Sequence, residues 1–231
     1  MRIGIMQPYF FPYLGYYQLA SHVDQFVFLD DVQMIRRGYI QRNYISLHGT
    51  PHRFNLPIKQ CSQNKLINQH TFLENHEDFL RLLHNAYHQA PYFNIVHSLI
   101  KKILREHSNV AECCAASIYS VFSYLEIPLS YAFSSSHPSQ MKSQDRILEL
   151  CNIFNADTYF NPIGGKELYD TDEFRQKSVQ LFFFEGSFPL YKQNSAKSST
   201  EFIPKLSMID ILMHASKEEV KQMLCMGHSK A

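Results

Sequence analysis

The sequence predicts an α/β fold, built on a mostly parallel, Rossmann-like sheet with a helical insertion. Short apolar runs alternate with helical patterns along most of the chain, which is typical of α/β proteins. Residues 3–29 have the order strand, loop, helix, strand, which is one βαβ unit. Polar side chains follow the ends of several predicted strands, where ligands of open parallel sheets bind.

The first βαβ unit is defined by two apolar runs with a helical pattern between them. Residues 3–6 and 26–29 are short and apolar, as buried parallel strands are, and residues 14–23 are predicted to form the connecting helix. The loop between the first strand and the helix contains Pro8 and Pro12, which end the strand and stiffen the loop.

A hairpin and a helical segment follow. Residues 39–45 and 52–56 flank a turn signal at 47–51, which contains a glycine and a proline and predicts a β-hairpin. Residues 61–125 are nearly all helical in pattern, with apolar residues three and four positions apart. We interpret them as a helical insertion within a single α/β domain that spans residues 1–231.

The C-terminal half returns to alternating strands and helices. Apolar runs predict strands at 129–133, 157–160 and 179–185, and helical spacing predicts helices at 143–154, 174–177 and 207–226. Each of these strands leads into a polar or glycine-containing stretch.

Composition narrows the function classes. The chain of 231 residues is 45% hydrophobic and 19% charged, as globular proteins are, and its net charge of +1 without a basic run argues against nucleic-acid binding. No apolar run approaches the roughly 18 residues of a membrane span. The five cysteines lack CxxC spacing, which favours reduced thiols and a cytoplasmic protein. The twelve histidines lack a recognisable ligand set, so no metal site is predicted.

The strongest catalytic candidates follow the second strand. Asp30 and Asp31 could act as a general base, bind a ribose or serve as Mg²⁺ ligands, and Gln33 could bind substrate beside them. Because adjacent strand residues point to opposite faces, we expect only one of the two carboxyl groups to reach a ligand. A turn or helix cap is the structural alternative for this pair.

The loop after the first strand is the candidate substrate loop. Gln7, Tyr9, Tyr13 and Tyr16 combine aromatic faces with polar ends, which suits a sugar ring or a nucleobase. Proline limits the conformational freedom that such a loop would lose on binding.

Anion contacts are expected from two further regions. Arg42 and Asn43 carry a charge and an amide that fit a phosphate or carboxylate. The loop after the strand at 157–160 supplies backbone N–H groups and a cation for the same purpose, and a serine follows the strand at 129–133. The candidates in these two loops are Asn161, Gly164, Gly165, Lys166 and Ser134.

Several of these motifs together resemble the WbqC-like family over essentially the whole chain. The matching segments lie at residues 7–16, 30–33, 42–45, 90–93, 134–135, 164–169 and 206–210. The resemblance implies a role in surface-polysaccharide (O-antigen) and amino-sugar biosynthesis, and it does not imply a particular reaction.

A second resemblance, to nucleotidylyl transferases with a His-x-Gly-His motif, concerns residues 13–16. Here Tyr13 and Tyr16 stand in place of both histidines, while Gly15 is kept, and Lys205 precedes a stretch placed like the phosphate loop of those enzymes. The resemblance would make Tyr13 a catalytic residue. A neutral phenol, however, cannot supply the charge of an imidazolium to a transferring phosphate.

Two functions remain open from the sequence. The leading hypothesis is a transferase that acts on a nucleotide-activated amino sugar, by acyl or aminoacyl transfer, with a nucleotide sugar as its small-molecule partner. The alternative is a non-catalytic binding or scaffold protein on a degenerate nucleotidylyl-transferase-like fold. The sequence assigns no cofactor, and it allows an oligomer without predicting one.

Overall fold

The computed structural model describes residues 1–35, 38–193 and 201–230. Eight strands are present in these ranges: β1 Arg2–Met6, β2 Gln25–Phe28, β3 Arg42–Leu47, β4 Thr50–Asn55, β5 Tyr131–Phe133, β6 Thr158–Pro162, β7 Gln180–Glu185 and β8 His228–Lys230. Six of them form one sheet in the order β5-β2-β1-β6-β7-β8, which is parallel except for β8. The predicted α/β class with a mostly parallel sheet is confirmed.

Eight α-helices connect and cover the strands in the described residues. They are α1 Leu14–His22, α2 Glu77–Tyr87, α3 Phe93–Glu106, α4 Val110–Tyr124, α5 Ser143–Ile153, α6 Thr171–Gln176, α7 Met208–His214 and α8 Lys217–Leu224. Short 3₁₀ turns follow at Ile67–Gln69, Ser134–Ser136 and Ile163–Leu168. The last two directly follow β5 and β6, so they lie at the carboxyl edge of the sheet.

The strand order reverses at β1. From β1 the chain builds the sheet outward through β2 and β5, and it then returns to the other side of β1 with β6 and β7. In open α/β sheets, ligands bind at the carboxyl ends of the strands where the order reverses. The topology therefore predicts a ligand site at the loops that follow β1, β6 and β7.

The sheet separates two apolar layers, and β2 shows how its residues are divided between them. Phe26 and Phe28 belong to the larger layer, which includes α1, α4, α7 and α8, whereas Val27 belongs to the smaller layer under α5 and α6. This is the two-residue alternation of a strand that is buried on both faces. Leu83, Ile100 and Ile118 of the helices in the 61–125 segment pack in the larger layer as well.

The hairpin is confirmed, with a tighter turn than the sequence predicts. His48 and Gly49 both have positive φ angles, of 53° and 77°, and form a two-residue turn of the kind that suits strand twist. Consequently Thr50 and Pro51, predicted to lie in the turn, belong to β4.

The C-terminal helix is the clearest departure from prediction. The single helix expected at 207–226 is two helices, α7 and α8, because Ala215 and Ser216 have extended backbones. Ser216 caps α8 in a reciprocal arrangement with Glu219, a signal that a helix begins there. Strand β8 was not predicted, since its three residues are exposed and carry no apolar pattern.

Candidate functional site

The loop after β1 is fixed by hydrogen bonds from two distant parts of the chain and from the adjacent helix α1. Phe11 is buried and has a φ of 41°, which is unfavourable for a bulky residue. Its carbonyl oxygen accepts hydrogen bonds from Asn43 Nδ2, at 3.1 Å, and from Ser207 Oγ, at 2.6 Å. At the start of the loop, Tyr16 Oη donates to the Gln7 carbonyl oxygen at 2.9 Å. Asn43 and Tyr16 thus hold the loop in place.

This loop forms one wall of a cleft of about 700 Å³ at the carboxyl edge of β1, β6 and β7. We call it the tyrosine cleft and define it by Tyr9, Tyr13, Tyr39, Tyr44, Phe188 and Lys205. The ring centres of Tyr13 and Phe188 are 6.0 Å apart. The cleft lies where the strand order reverses, which is the expected ligand position in such a sheet.

The phenols of the loop are neutral hydrogen-bonding groups. Burial raises the pKa of Tyr9, and the neighbouring phenol of Tyr13 raises it further. Burial also raises the pKa of Tyr13. Both side chains therefore present an aromatic face and an intact O–H near neutral pH.

Two charged side chains line the described part of the tyrosine cleft. Lys205 Nζ lies 5.4 Å from the ring centre of Phe188, a cation–π distance. Glu185 lies at the end of β7, where its Oε2 accepts a hydrogen bond from Lys230 Nζ at 2.5 Å. This hydrogen bond from Lys230 lowers the pKa of Glu185, which is therefore ionised at neutral pH.

A second polar group lies at the ends of β2 and β5. We call it the carboxylate cluster, and it consists of Asp30, Asp31, Asn68, Ser134, Ser135 and Arg146. Asp30 is 2% exposed. Its carboxyl oxygens accept hydrogen bonds from Ser135 N at 2.9 Å, Ser135 Oγ at 2.6 Å and Asn68 Nδ2 at 3.2 Å. Ser134 Oγ lies 3.0 Å from Asp30 Oδ1 and 2.5 Å from Asp31 Oδ1, so two carboxyl groups share one hydroxyl.

Arg146 closes the carboxylate cluster from α5. Its side chain is 4% exposed, and Nη2 donates to Asp31 Oδ2 and to the Ser134 carbonyl oxygen, both at 2.8 Å. The other terminal nitrogen, Nη1, donates to Glu149 Oε2 at 2.6 Å. The guanidinium thus pairs with the carboxyl groups of Asp31 and Glu149, while Asp30 is satisfied by the two serines and Asn68.

Beside the carboxylate cluster lies a second cleft, of about 630 Å³, which we call the Asp31 cleft. Asp31, Gln33, Gln144 and Tyr169 line it together with Arg146. The Asp31 cleft and the tyrosine cleft have no lining residue in common. The polar residues at this edge of the sheet therefore line two separate clefts.

The predicted site residues divide among these places. Tyr9, Tyr13, Asn43 and Gly164 line the tyrosine cleft, and Asp31 and Gln33 line the Asp31 cleft. The remaining candidates line neither cleft: Gln7, Tyr16, Asp30, Arg42, Ser134, Asn161, Gly165 and Lys166.

Structural contacts account for several residues in that last group. Asn161 is buried, and its Oδ1 accepts a hydrogen bond from Tyr159 Oη at 3.0 Å. A side chain at Gly165 would collide with the Asn161 amide, so this glycine permits a close approach of side chain and backbone. Arg42 Nε donates to the Gly38 carbonyl oxygen at 2.6 Å.

The sequence did not predict five of the residues at these sites. They are Glu185, Tyr39, Tyr44 and Phe188 of the tyrosine cleft and Arg146 of the carboxylate cluster. Only Arg146 has a local signal. It lies in the first turn of α5, where the helix dipole favours acidic residues, so a cation there indicates a specific partner.

Asp210 forms a buried network behind the tyrosine cleft. The side chain is 0% exposed, and it accepts hydrogen bonds from Tyr87 Oη at 2.6 Å and Tyr191 Oη at 2.8 Å. Burial and the adjacent Asp210 carboxylate raise the pKa of both tyrosines, so they remain donors. Tyr191 anchors the segment that carries Phe188 to α7.

The described residues show two further features. No helix among them is long and apolar enough to cross a membrane. Within residues 1–35, 38–193 and 201–230, no group of three or more His, Cys, Asp or Glu side chains is placed to hold a metal ion.

The fold and the edge clefts define an α/β protein with an aromatic, ligand-sized site at its sheet reversal. Residues 7–222 match the WbqC-like protein family. The chain belongs to this family.

One curated relative has a similar sequence along its whole length. Uncharacterized protein Rv1507c of Mycobacterium tuberculosis (strain ATCC 25618 / H37Rv) is 24% identical over 226 residues, which cover 94% of this chain and 95% of the relative. No solved structure matches the chain significantly.

Proposed function

We propose that this protein is a transferase that binds a nucleotide-activated amino sugar in the tyrosine cleft, for acyl or aminoacyl transfer in surface-glycan biosynthesis. The observation that carries the proposal is the cleft itself. Its aromatic walls, its neutral phenols and Lys205 lie together at the sheet reversal. The polysaccharide setting is the one implied by the resemblance to the WbqC-like family.

The lining matches the parts of such a ligand. Aromatic faces pack against the apolar faces of sugars and bases, and the phenols of Tyr9 and Tyr13 can hydrogen-bond to hydroxyl groups. Lys205 is the cation in the described lining that can pair with a diphosphate. Arg42 and Lys166, the sequence candidates for this contact, do not line the tyrosine cleft.

Among the predicted catalytic residues, Tyr13 lines the tyrosine cleft and is the candidate for the proton transfer there, whereas Asp31 lines the separate Asp31 cleft. Asp30 is given a positioning role, since it holds Ser134 and Ser135 through buried hydrogen bonds. The neutral sugar amine would attack the acyl carbon, and the amide bond would form as the bond to the acyl carrier breaks. The proton lost by the amine would pass through the Tyr13 hydroxyl to the departing carrier.

Thermal unfolding with a ligand panel tests this proposal. The panel contains UDP- and dTDP-linked amino sugars, ATP with Mg²⁺, acyl-CoA and free amino acids. A ligand at about 100 times its dissociation constant adds about 2.7 kcal/mol to the unfolding free energy. We expect this shift with a nucleotide sugar, and we expect Lys205→Ala to reduce it. Lys101→Ala, on the exposed surface of α3, is the matched control.

The alternative, a non-catalytic binding or scaffold protein, is favoured by one observation. The predicted catalytic carboxyl group of Asp30 is buried and engaged by Ser134, Ser135 and Asn68. If no ligand in the panel shifts the unfolding temperature, the transferase proposal fails and the scaffold alternative is preferred.

A further inference from the structure

We propose that Glu185 determines specificity at the tyrosine cleft by binding the ammonium group of the ligand. Glu185 then makes the site select an amino sugar over the sugar with a hydroxyl group in the same place. This inference rests on the proposed function and deepens it, because it assigns one residue to one group of the substrate.

The position of Glu185 carries the inference. It is the last residue of β7, pairs in register with His228 of β8, and lines the tyrosine cleft. Its side chain is 40% exposed, so a ligand can reach it. Within the described lining of the cleft it is the sole carboxylate, and Lys205 is the sole cation.

The carboxylate has capacity that the protein does not use. Oε2 accepts the hydrogen bond from Lys230 and lies 3.4 Å from His228 Nε2. Oε1 accepts no hydrogen bond from a described residue. A carboxylate oxygen has two acceptor positions, so Oε1 can accept from an ammonium group while Lys230 stays in place.

Lys230 keeps the Glu185 site ionised without blocking it. Its hydrogen bond lowers the pKa of Glu185, so the carboxylate carries its charge throughout the neutral range. Both partners are solvent-exposed, and exposed ion pairs are weak enough for a ligand to share or displace them. His228 is the other titratable group that faces Glu185 from β8.

The two charged residues of the cleft together indicate which charges its ligand carries. Lys205 favours an anion, such as a diphosphate, and Glu185 favours a cation, such as a sugar ammonium. A ligand that carries both is complementary to the cleft, whereas a neutral sugar nucleotide leaves Glu185 without a partner. Such unmatched groups are a general source of discrimination between similar ligands.

Calorimetric titration of the full-length protein with matched ligands tests the inference. UDP-glucosamine is compared with UDP-glucose, and the dTDP forms of both sugars are compared likewise. The titrations are run at about pH 6, below the range of roughly 7.7–8.0 in which an α-amino group loses its proton. An exposed charge pair corresponds to a preference of about fivefold for the amino sugar.

Two variants separate the role of Glu185 from a structural effect. Glu185→Gln keeps the shape and removes the charge, so the preference should fall to about equal binding of the two sugars. Lys230→Met removes the competing cation and should preserve or increase the preference. Unchanged unfolding temperatures would show that both variants are folded.

Each outcome decides one question. Equal binding of both sugars by the natural protein, or an unchanged preference in Glu185→Gln, would overturn the role of Glu185 and leave the nucleotide-sugar proposal standing. Binding of neither sugar in either nucleotide form would overturn the proposed function and this inference together.

Discussion

The tyrosine cleft and the carboxylate cluster lie at the same edge of one sheet, yet their polar groups are used differently. In the carboxylate cluster, Asp30 and Arg146 are buried, and both form hydrogen bonds with Ser134. In the tyrosine cleft, Lys205 and Glu185 line the cavity, and Oε1 of Glu185 accepts no hydrogen bond from a described residue. A group that is already satisfied stabilises the fold, whereas a group with free capacity can bind a ligand.

This difference shows that polar residues at the end of a strand can be either functional or structural. Asp30 follows β2 in the position where a catalytic base is expected, but the serines after β5 engage its carboxyl group. Polar residues at a strand end thus indicate a functional edge only after their partners within the protein are known.

The largest effect is expected from the carboxylate cluster. Asp30→Ala removes a buried acceptor and leaves the donors of Ser135 and Asn68 without this partner, while Ser134 Oγ keeps Asp31, and the loss should cost about 3 kcal/mol of unfolding free energy. Urea denaturation measures the loss. Asp172→Ala, at an exposed ion pair on α6, should change stability by less than about 0.5 kcal/mol.

The isosteric variant Asp30→Asn tests whether the role of Asp30 is only structural. If Asp30→Asn retained natural stability and ligand binding but lost turnover, Asp30 would be a catalytic residue. The carboxylate cluster would then belong to the active site.

The next effect concerns ligand affinity in the tyrosine cleft. Tyr39 is 54% exposed, so Tyr39→Ala should leave the fold stable. Loss of its aromatic face should weaken nucleotide-sugar binding about tenfold, a typical value for one aromatic contact. Tyr119→Ala removes an exposed tyrosine on α4, away from the cleft, and serves as the control. Equal affinities of the two variants in a titration would remove Tyr39 from the site.

The third prediction concerns Lys205, where we expect one substitution to have different effects on stability and on ligand binding. Lys205 has a φ of 58°, and a left-handed backbone costs an L-residue about 1 kcal/mol, part of which a glycine recovers. We therefore expect Lys205→Gly to be at least as stable as the natural protein but to bind nucleotide sugars more weakly. Ser178→Gly changes a residue with a φ of 59° outside the cleft and should leave binding unchanged. Unfolding and titration measurements on both variants would reveal whether the strain at Lys205 serves binding.

The smallest effect is the pH dependence of the cleft rim. The hydrogen bond from Lys230 lowers the pKa of Glu185 below its ordinary value of 4.5. A carboxyl group with a lowered pKa stabilises the fold above its unfolded value, and this contribution disappears as the pH falls through the folded value. The stability difference between the natural protein and Lys230→Met should therefore be small at neutral pH, begin to fall near pH 4.5 and vanish once the pH is below the lowered folded-state pKa of Glu185. A difference that persisted in acid would assign Lys230 a role other than pairing with Glu185.

Features of the fold that depend on residues close together in the sequence were the ones that could be predicted. The βαβ unit and the hairpin were predicted because apolar runs, helical spacing and turn residues are local signals. The break between α7 and α8 was missed, although Ser216 and Glu219 form a local capping signal.

The α/β class, the first βαβ unit and the tyrosine-rich loop can be predicted from the sequence alone, because each depends on residues close together in the chain. Only the tertiary structure decided that the polar residues form two clefts. Asp31 meets Arg146 across 115 positions, and Tyr13 meets Phe188 from the other end of the chain. Such partners determine which polar groups are satisfied and which stay open, because a buried group is satisfied by whatever the fold brings beside it.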